Sequence, residues 1–134
     1  MRVSMWVVIA TLAALGGGCG DGANGAMQPG SDCLTCHSGG GAGAGLDFTA
    51  AGTIYRTDGI GAAGVFVSLT DSNSVQVSAV TNSVGNFYFA EALTPPLRVE
   101  LDDGTTAKVM ARAAGACNSC HAGTGSAATR VLLP

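Results

Sequence analysis

The sequence predicts a mainly β protein, a small antiparallel β-sandwich with short segments of different character on either side. Three observations carry this. From about Phe48 to Met110 the chain breaks into short runs in which apolar and polar residues alternate, the pattern of strands with one buried face. Clusters of Gly, Pro, Asn, Asp and Ser separate those runs. No stretch in the region shows a 3.6-residue apolar period. The 134 residues suit one domain.

Taken in order, Gly52-Thr53-Ile54-Tyr55-Arg56 is the first strand, closed by the turn-rich Asp58-Gly59-Ile60-Gly61. Val65, Val67 and Leu69 then alternate with Phe66, Ser68 and Thr70, and Val75, Val77 and Ala79 alternate with Gln76, Ser78 and Val80. A turn at Asn82-Ser83-Val84-Gly85 leads to Asn86-Phe87-Tyr88-Phe89, with Phe87 and Phe89 on one face. Pro95 and Pro96 break the chain before Leu97, Val99 and Leu101. Asp103-Gly104 has the composition of a two-residue hairpin turn, returning the chain over Thr105 to Met110. In that returning strand Ala107 and Val109 are expected on the core face, and Lys108 and Met110 on the other. Thr129 to Leu133 supplies a last strand, so that Cys117 to Ser126 is an insertion before it. The sandwich is thus expected over residues 48–134.

The first residues read as an address. Arg2 is followed by an eleven-residue apolar run, Met5 to Leu15, and by Gly16, Gly17 and Gly18. This is the form of a secretory signal over residues 1–18, too short to span a membrane. Small residues leading into Cys19 resemble a bacterial lipoprotein signal with cleavage before Cys19 and lipidation there, although Gly16 stands where that pattern has Leu. The other reading is ordinary cleavage nearby with Cys19 a spare thiol. Residues 19–32 form a small, polar tether, ending in Ser31 and Asp32, either of which can cap a short helix from Cys33. Five glycines between Ser38 and Gly45 make a linker without the volume to build a core. Residues 33–47 are thus a first segment with its Gly-rich linker. Only 11% of residues are charged and the net charge is −3, which argues against a nucleic-acid partner.

Cys33-Leu34-Thr35-Cys36-His37 and Cys117-Asn118-Ser119-Cys120-His121 repeat one pattern, C-x-x-C-H. They absorb four of the five cysteines and both histidines of the chain. The pattern resembles the haem attachment signature of c-type cytochromes. That resemblance implies two covalent c-type haems, through Cys33/Cys36 and Cys117/Cys120, with His37 and His121 as proximal iron ligands. A disulfide at each C-x-x-C, or zinc held by Cys and His, is the competing reading. The His directly after the second Cys is what haem attachment needs and is not the usual zinc spacing.

Histidine arithmetic excludes bis-His ligation within the chain. Beyond the leader the only methionines are Met27 and Met110, six and seven residues before their respective motifs. Both are therefore candidate distal ligands, against the plainer reading of methionine as a gap filler. His/Met ligation raises a reduction potential above that of a bis-His site. Lys108 is a weaker candidate because its amine must first lose a proton.

Within the β region, Gly52–Tyr55, Gly61–Asp71 and Thr81–Phe89 resemble the carboxypeptidase regulatory-like domains, transthyretin-like (Ig-like) sandwiches of about seven strands. The resemblance spans roughly Thr49 to Asp103 and brings no catalytic residues. Together the resemblances imply an exported electron-transfer protein rather than an enzyme. It would be periplasmic or anchored at the outer membrane through Cys19, with other cytochromes as redox partners. The alternative is a cell-surface binding or structural module with accessory or sensory haem. An iron with an open sixth position would instead allow binding of a small gas.

Overall fold

The computed structural model describes residues 27–41, 43, 45–121 and 130–134, and within them the fold is mainly β. Seven strands run in chain order: β1 (Ala50–Arg56), β2 (Phe66–Thr70), β3 (Gln76–Val80), β4 (Asn86–Phe89), β5 (Leu97–Asp102), β6 (Ala107–Ala113) and β7 (Val131–Leu133). Two single-turn helices flank them, α1 (Cys33–Cys36) before β1 and α2 (Cys117–Cys120) between β6 and β7. One sheet has the order β4-β1-β7 and the other β3-β2-β5-β6. All pairings are antiparallel except that of β1 with β7.

The core lies between the sheets. Val65, Val67 and Leu69 are fully buried, and so are Ile54, Leu97 and Leu133. Phe87 and Phe89 join the same cluster, edge to face at 6.1 Å, while Tyr88 between them is exposed. Burying apolar area at roughly 25 cal/mol per Å² is what holds two such sheets together. β1 alternates in the same way. Ala50 and Ile54 face the core, whereas Ala51 belongs to a second, smaller cluster on the outer face, with Cys33 and Phe48.

Two expectations are corrected. The connection from β5 to β6 is four residues, Asp103 to Thr106, rather than a two-residue turn. Asp103 organises it, its Oδ1 accepting from the backbone N–H groups of Thr105 and Thr106 while its own N–H donates to the Thr106 carbonyl. The faces of β6 are also reversed. Lys108 pairs with Leu101 and Met110 with Val99, both inward residues of β5, while Ala107 and Val109 pair with the outward Asp102 and Glu100. Cross-strand partners share a face, so Lys108 and Met110 point inward. A bulge between Leu97 and Val99 then sets Ala113 against Leu97. Without the extra residue, Arg112 would stand there.

Candidate functional site

Both C-x-x-C-H segments are folded onto β1, although 79 residues separate His37 from Cys117. Each forms one helical turn, closed by a bond from the His N–H to the carbonyl of the first Cys, at 2.9 Å in both. Residues three apart on a helix are neighbours, so the two cysteines of each turn spring from adjacent positions. Asp32 caps α1, its Oδ1 accepting from Leu34 N–H at 3.2 Å. No side chain caps α2; the sheet holds it instead. Ala51 N–H donates to the Gly115 carbonyl at 3.0 Å, and Thr53 N–H to Asn118 Oδ1 at 3.0 Å. The second motif therefore occupies the β1 edge that β7 continues from Ile54 to Arg56.

A buried polar knot joins the two motifs. Asn118 Nδ2 donates to the Ser31 carbonyl at 2.8 Å and to Thr53 Oγ1 at 2.9 Å. The Thr53 hydroxyl donates to Asn86 Oδ1 at 2.7 Å and accepts from Gly30 N–H at 2.9 Å. Asn86 Nδ2 in turn donates to the Met27 carbonyl at 3.2 Å. One donor and two acceptor sites exhaust a hydroxyl, so Thr53 is saturated. Asn118, Thr53 and Asn86 are all nearly inaccessible, and buried polar groups are tolerated when satisfied in this way. Sequence reasoning missed all three. Asn118 lies at a variable position of its motif, and its partners are 65 and 87 residues away.

At the first motif, His37 Nδ1 lies 3.0 Å from the Leu46 carbonyl oxygen. A carbonyl can only accept, so Nδ1 is the donor in this bond, and Nε2 is the ring nitrogen left to meet a metal. This is the backbone-carbonyl partner that orients metal-binding imidazoles. The ring stacks on Phe48 at 4.2 Å, and Phe48 stacks on Tyr88 at 4.3 Å, each pair tilted by 18°. The Gly-rich linker folds back over the motif. Gly43 N–H donates to the Cys36 carbonyl at 2.8 Å, and a Cβ on Gly43 would lie 2.4 Å from His37 Nδ1. The linker is thus a close-fitting cover, and a side chain at Gly43 does not fit. Met27 packs against the cluster of Cys33, Phe48 and Ala51.

At the second motif, Cys117 and His121 line a cleft of about 390 Å³ between the sheets. Its far wall is the inward face of β5 and β6, including Val99, Leu101, Lys108 and Met110. The other wall includes Ile54, Phe87 and Val131. Met110 and His121, proposed from sequence as a ligand pair, therefore border one space.

The four described cysteines differ. Cys33 is buried and Cys120 exposed. Burial pushes the Cys33 thiol up. Burial likewise pushes the Cys117 thiol up to about 11, with the nearby Cys33 sulfur adding to the effect. Cys33 packs with Phe48 and Ala51, and Cys117 packs against the core between the sheets. Cys36 is disulfide-bonded, so a thioether at that sulfur first requires its reduction. The signal over 1–18 and the lipidation site Cys19 lie outside the described residues, as do positions 122–126 of the second segment.

Fold and site together define a small β-sandwich bearing two Cys-x-x-Cys-His turns side by side on one strand. No protein-family model matches the chain, nor does any curated protein or solved structure.

Proposed function

We propose that the chain is an exported di-haem c-type cytochrome that carries electrons. The observation that carries this reading is the convergence of two C-x-x-C-H turns, far apart in sequence, on a single strand, with Asn118 of the second bonded to Ser31 just before the first. An electron carrier with two centres needs them close, and two unrelated disulfides or zinc sites have no such requirement.

The residues present fit haem on three counts. Each motif spaces its two cysteines one helical turn apart. His37 is oriented by the Leu46 carbonyl at Nδ1, which leaves Nε2 as the ring nitrogen to meet a metal. The cleft at His121 is mostly apolar and, at about 390 Å³, within the ~300–1,000 Å³ range of small-molecule sites. Cys33, Cys36, Cys117 and Cys120 would hold the two groups covalently, and His37 and His121 would ligate iron. Met27, packed against Cys33, is the candidate sixth ligand at the first site. Bound haem supplies the one-electron chemistry; the chain attaches, orients and shields it. Redox partners would be other one-electron carriers, with the lipid at Cys19 holding the protein at a membrane.

The test is haem quantified per chain on exported protein, with oxidised and reduced visible spectra. Two covalent haems with low-spin spectra are expected. A chain that matures in a haem-competent host without covalent haem overturns the reading.

A further inference from the structure

Strand β6 is exposed on both faces from Ala107 to Arg112. For the outward Ala107 and Val109 that is ordinary. For Lys108 and Met110, which face the opposite sheet, it is not, because the inward face of a sandwich strand is normally covered. The second sheet ends at β7 and leaves a wedge in front of β6. Val99 and Leu101 stand at its inner end, and Cys117 and His121 border it. Among the described residues, those lining the wedge include no carboxylate and two cations, Lys108 and Arg130. The Arg130 guanidinium already lies over the Tyr55 ring, 4.7 Å from its centroid.

We infer that this wedge is the seat of the second haem, inserted between the sheets, with Lys108 countering a propionate and the Met110 thioether presented from the facing wall as sixth ligand. The inference rests on the reading of the chain as a di-haem protein. The occupant is argued from continuity, since Cys117 and His121 line the wedge themselves while Cys120, the second attachment point, is exposed outside its lining. A flat, apolar macrocycle with an anionic edge matches an apolar slot whose lining charges are positive. It would cover the inward face of β6, which is exposed. The two sites then differ in kind. The first lies on the outer face of the β4-β1-β7 sheet, beside Phe48 and Ala51, and the second lies within the sandwich.

Nuclear magnetic resonance of the reduced, diamagnetic holoprotein tests the seat directly. Methyl resonances of Val99 and Leu101 should be displaced strongly upfield by the haem ring current, while the methyls of exposed Val80, which does not line the wedge, stay at ordinary positions. Ordinary shifts for Val99 and Leu101 in a protein carrying two haems overturn the inference and leave the di-haem reading standing; absence of haem overturns that reading instead. Met110→Ala, at an exposed position, should remove the sulfur-to-iron absorption band of one haem and lower one of two potentials. Retention of both rejects the ligand. Lys108→Gln should lower the same potential by a smaller step that shrinks in high salt, since a nearby cation favours the reduced iron. An unmoved potential rejects the lysine's role.

Discussion

Asn118, inside the second motif, donates its side-chain amide to the carbonyl of Ser31, two residues before the first motif, at 2.8 Å. A single side chain therefore holds both motifs in register, and its Oδ1 also takes the Thr53 N–H that would otherwise face an unfilled sheet edge. Asn118→Ala strips partners from several buried groups at once. At about 1–3 kcal/mol for an orphaned buried donor or acceptor, the loss should be at least 2–3 kcal/mol, read by denaturant unfolding. Ser119→Ala, which removes exposed bonds to the Ala116 carbonyl and the Cys120 sulfur, should change stability by less than about 0.5 kcal/mol.

Gly43→Ala should disturb one site and spare the other. Its Cβ would meet His37 Nδ1 at 2.4 Å and Cε1 at 2.6 Å, so either the ring or the linker must move. Overpacking of this kind costs about 1–3 kcal/mol. The bond from His37 to Leu46 should loosen, so if the chain carries the two proposed haems, the spectrum should change at His37 and not at His121. Gly40→Ala is a weaker comparison, because open space surrounds the position and only its φ of +105° resists a side chain.

Phe48→Leu probes the stack that supports His37. The substitution keeps an apolar group beside Cys33 and Ala51 but removes both ring contacts. Aromatic pairs contribute about 0.5–1.5 kcal/mol each beyond their burial, so the protein should lose roughly 1–3 kcal/mol. Tyr88→Leu, which breaks only the outer pair, should cost less. Thermal unfolding of the two variants orders them.

The haem-free protein should weaken in alkali. The folded Cys117 thiol is raised from 9.0 to about 11, so its contribution is complete below the unfolded value and is lost as pH climbs from about 9 towards 11. Unfolding free energy measured against pH should fall through that window, and Cys117→Ser should flatten the fall. A thioether has no proton to lose, so the same loss should vanish in protein with haem at Cys117. Alkylation of the haem-free protein near pH 8 should reach exposed Cys120 before Cys117.

Alternation made most of the sandwich readable. Val65, Val67 and Leu69, and Phe87 and Phe89, contrast sharply enough with their neighbours to fix a buried face. The helix cap at Asp32 was equally local. β6 was misread because its inner face borders a cleft, so Lys108 and Met110 show no apolar contrast with Ala107 and Val109. Pairing with β5 sets its face, and that is not a local property. The knot at Asn118 was invisible for a related reason: an amide between two cysteines carries no sign of a threonine hydroxyl from another strand. The motifs themselves needed no fold to be noticed. What the fold added was their meeting point on β1.

The burial of Cys33, 8% exposed, has a bearing on the order of events during biogenesis. A thiol that inaccessible cannot be reached by a reagent the size of a porphyrin, and Cys117 is tucked against Phe87 and Gly52 in the same region. For a chain that carries haem, the sulfurs have to be joined to it while the polypeptide is still open, before β7 returns to the edge of β1. The sandwich would then close around cargo already attached, and the last strand to dock would act as its latch.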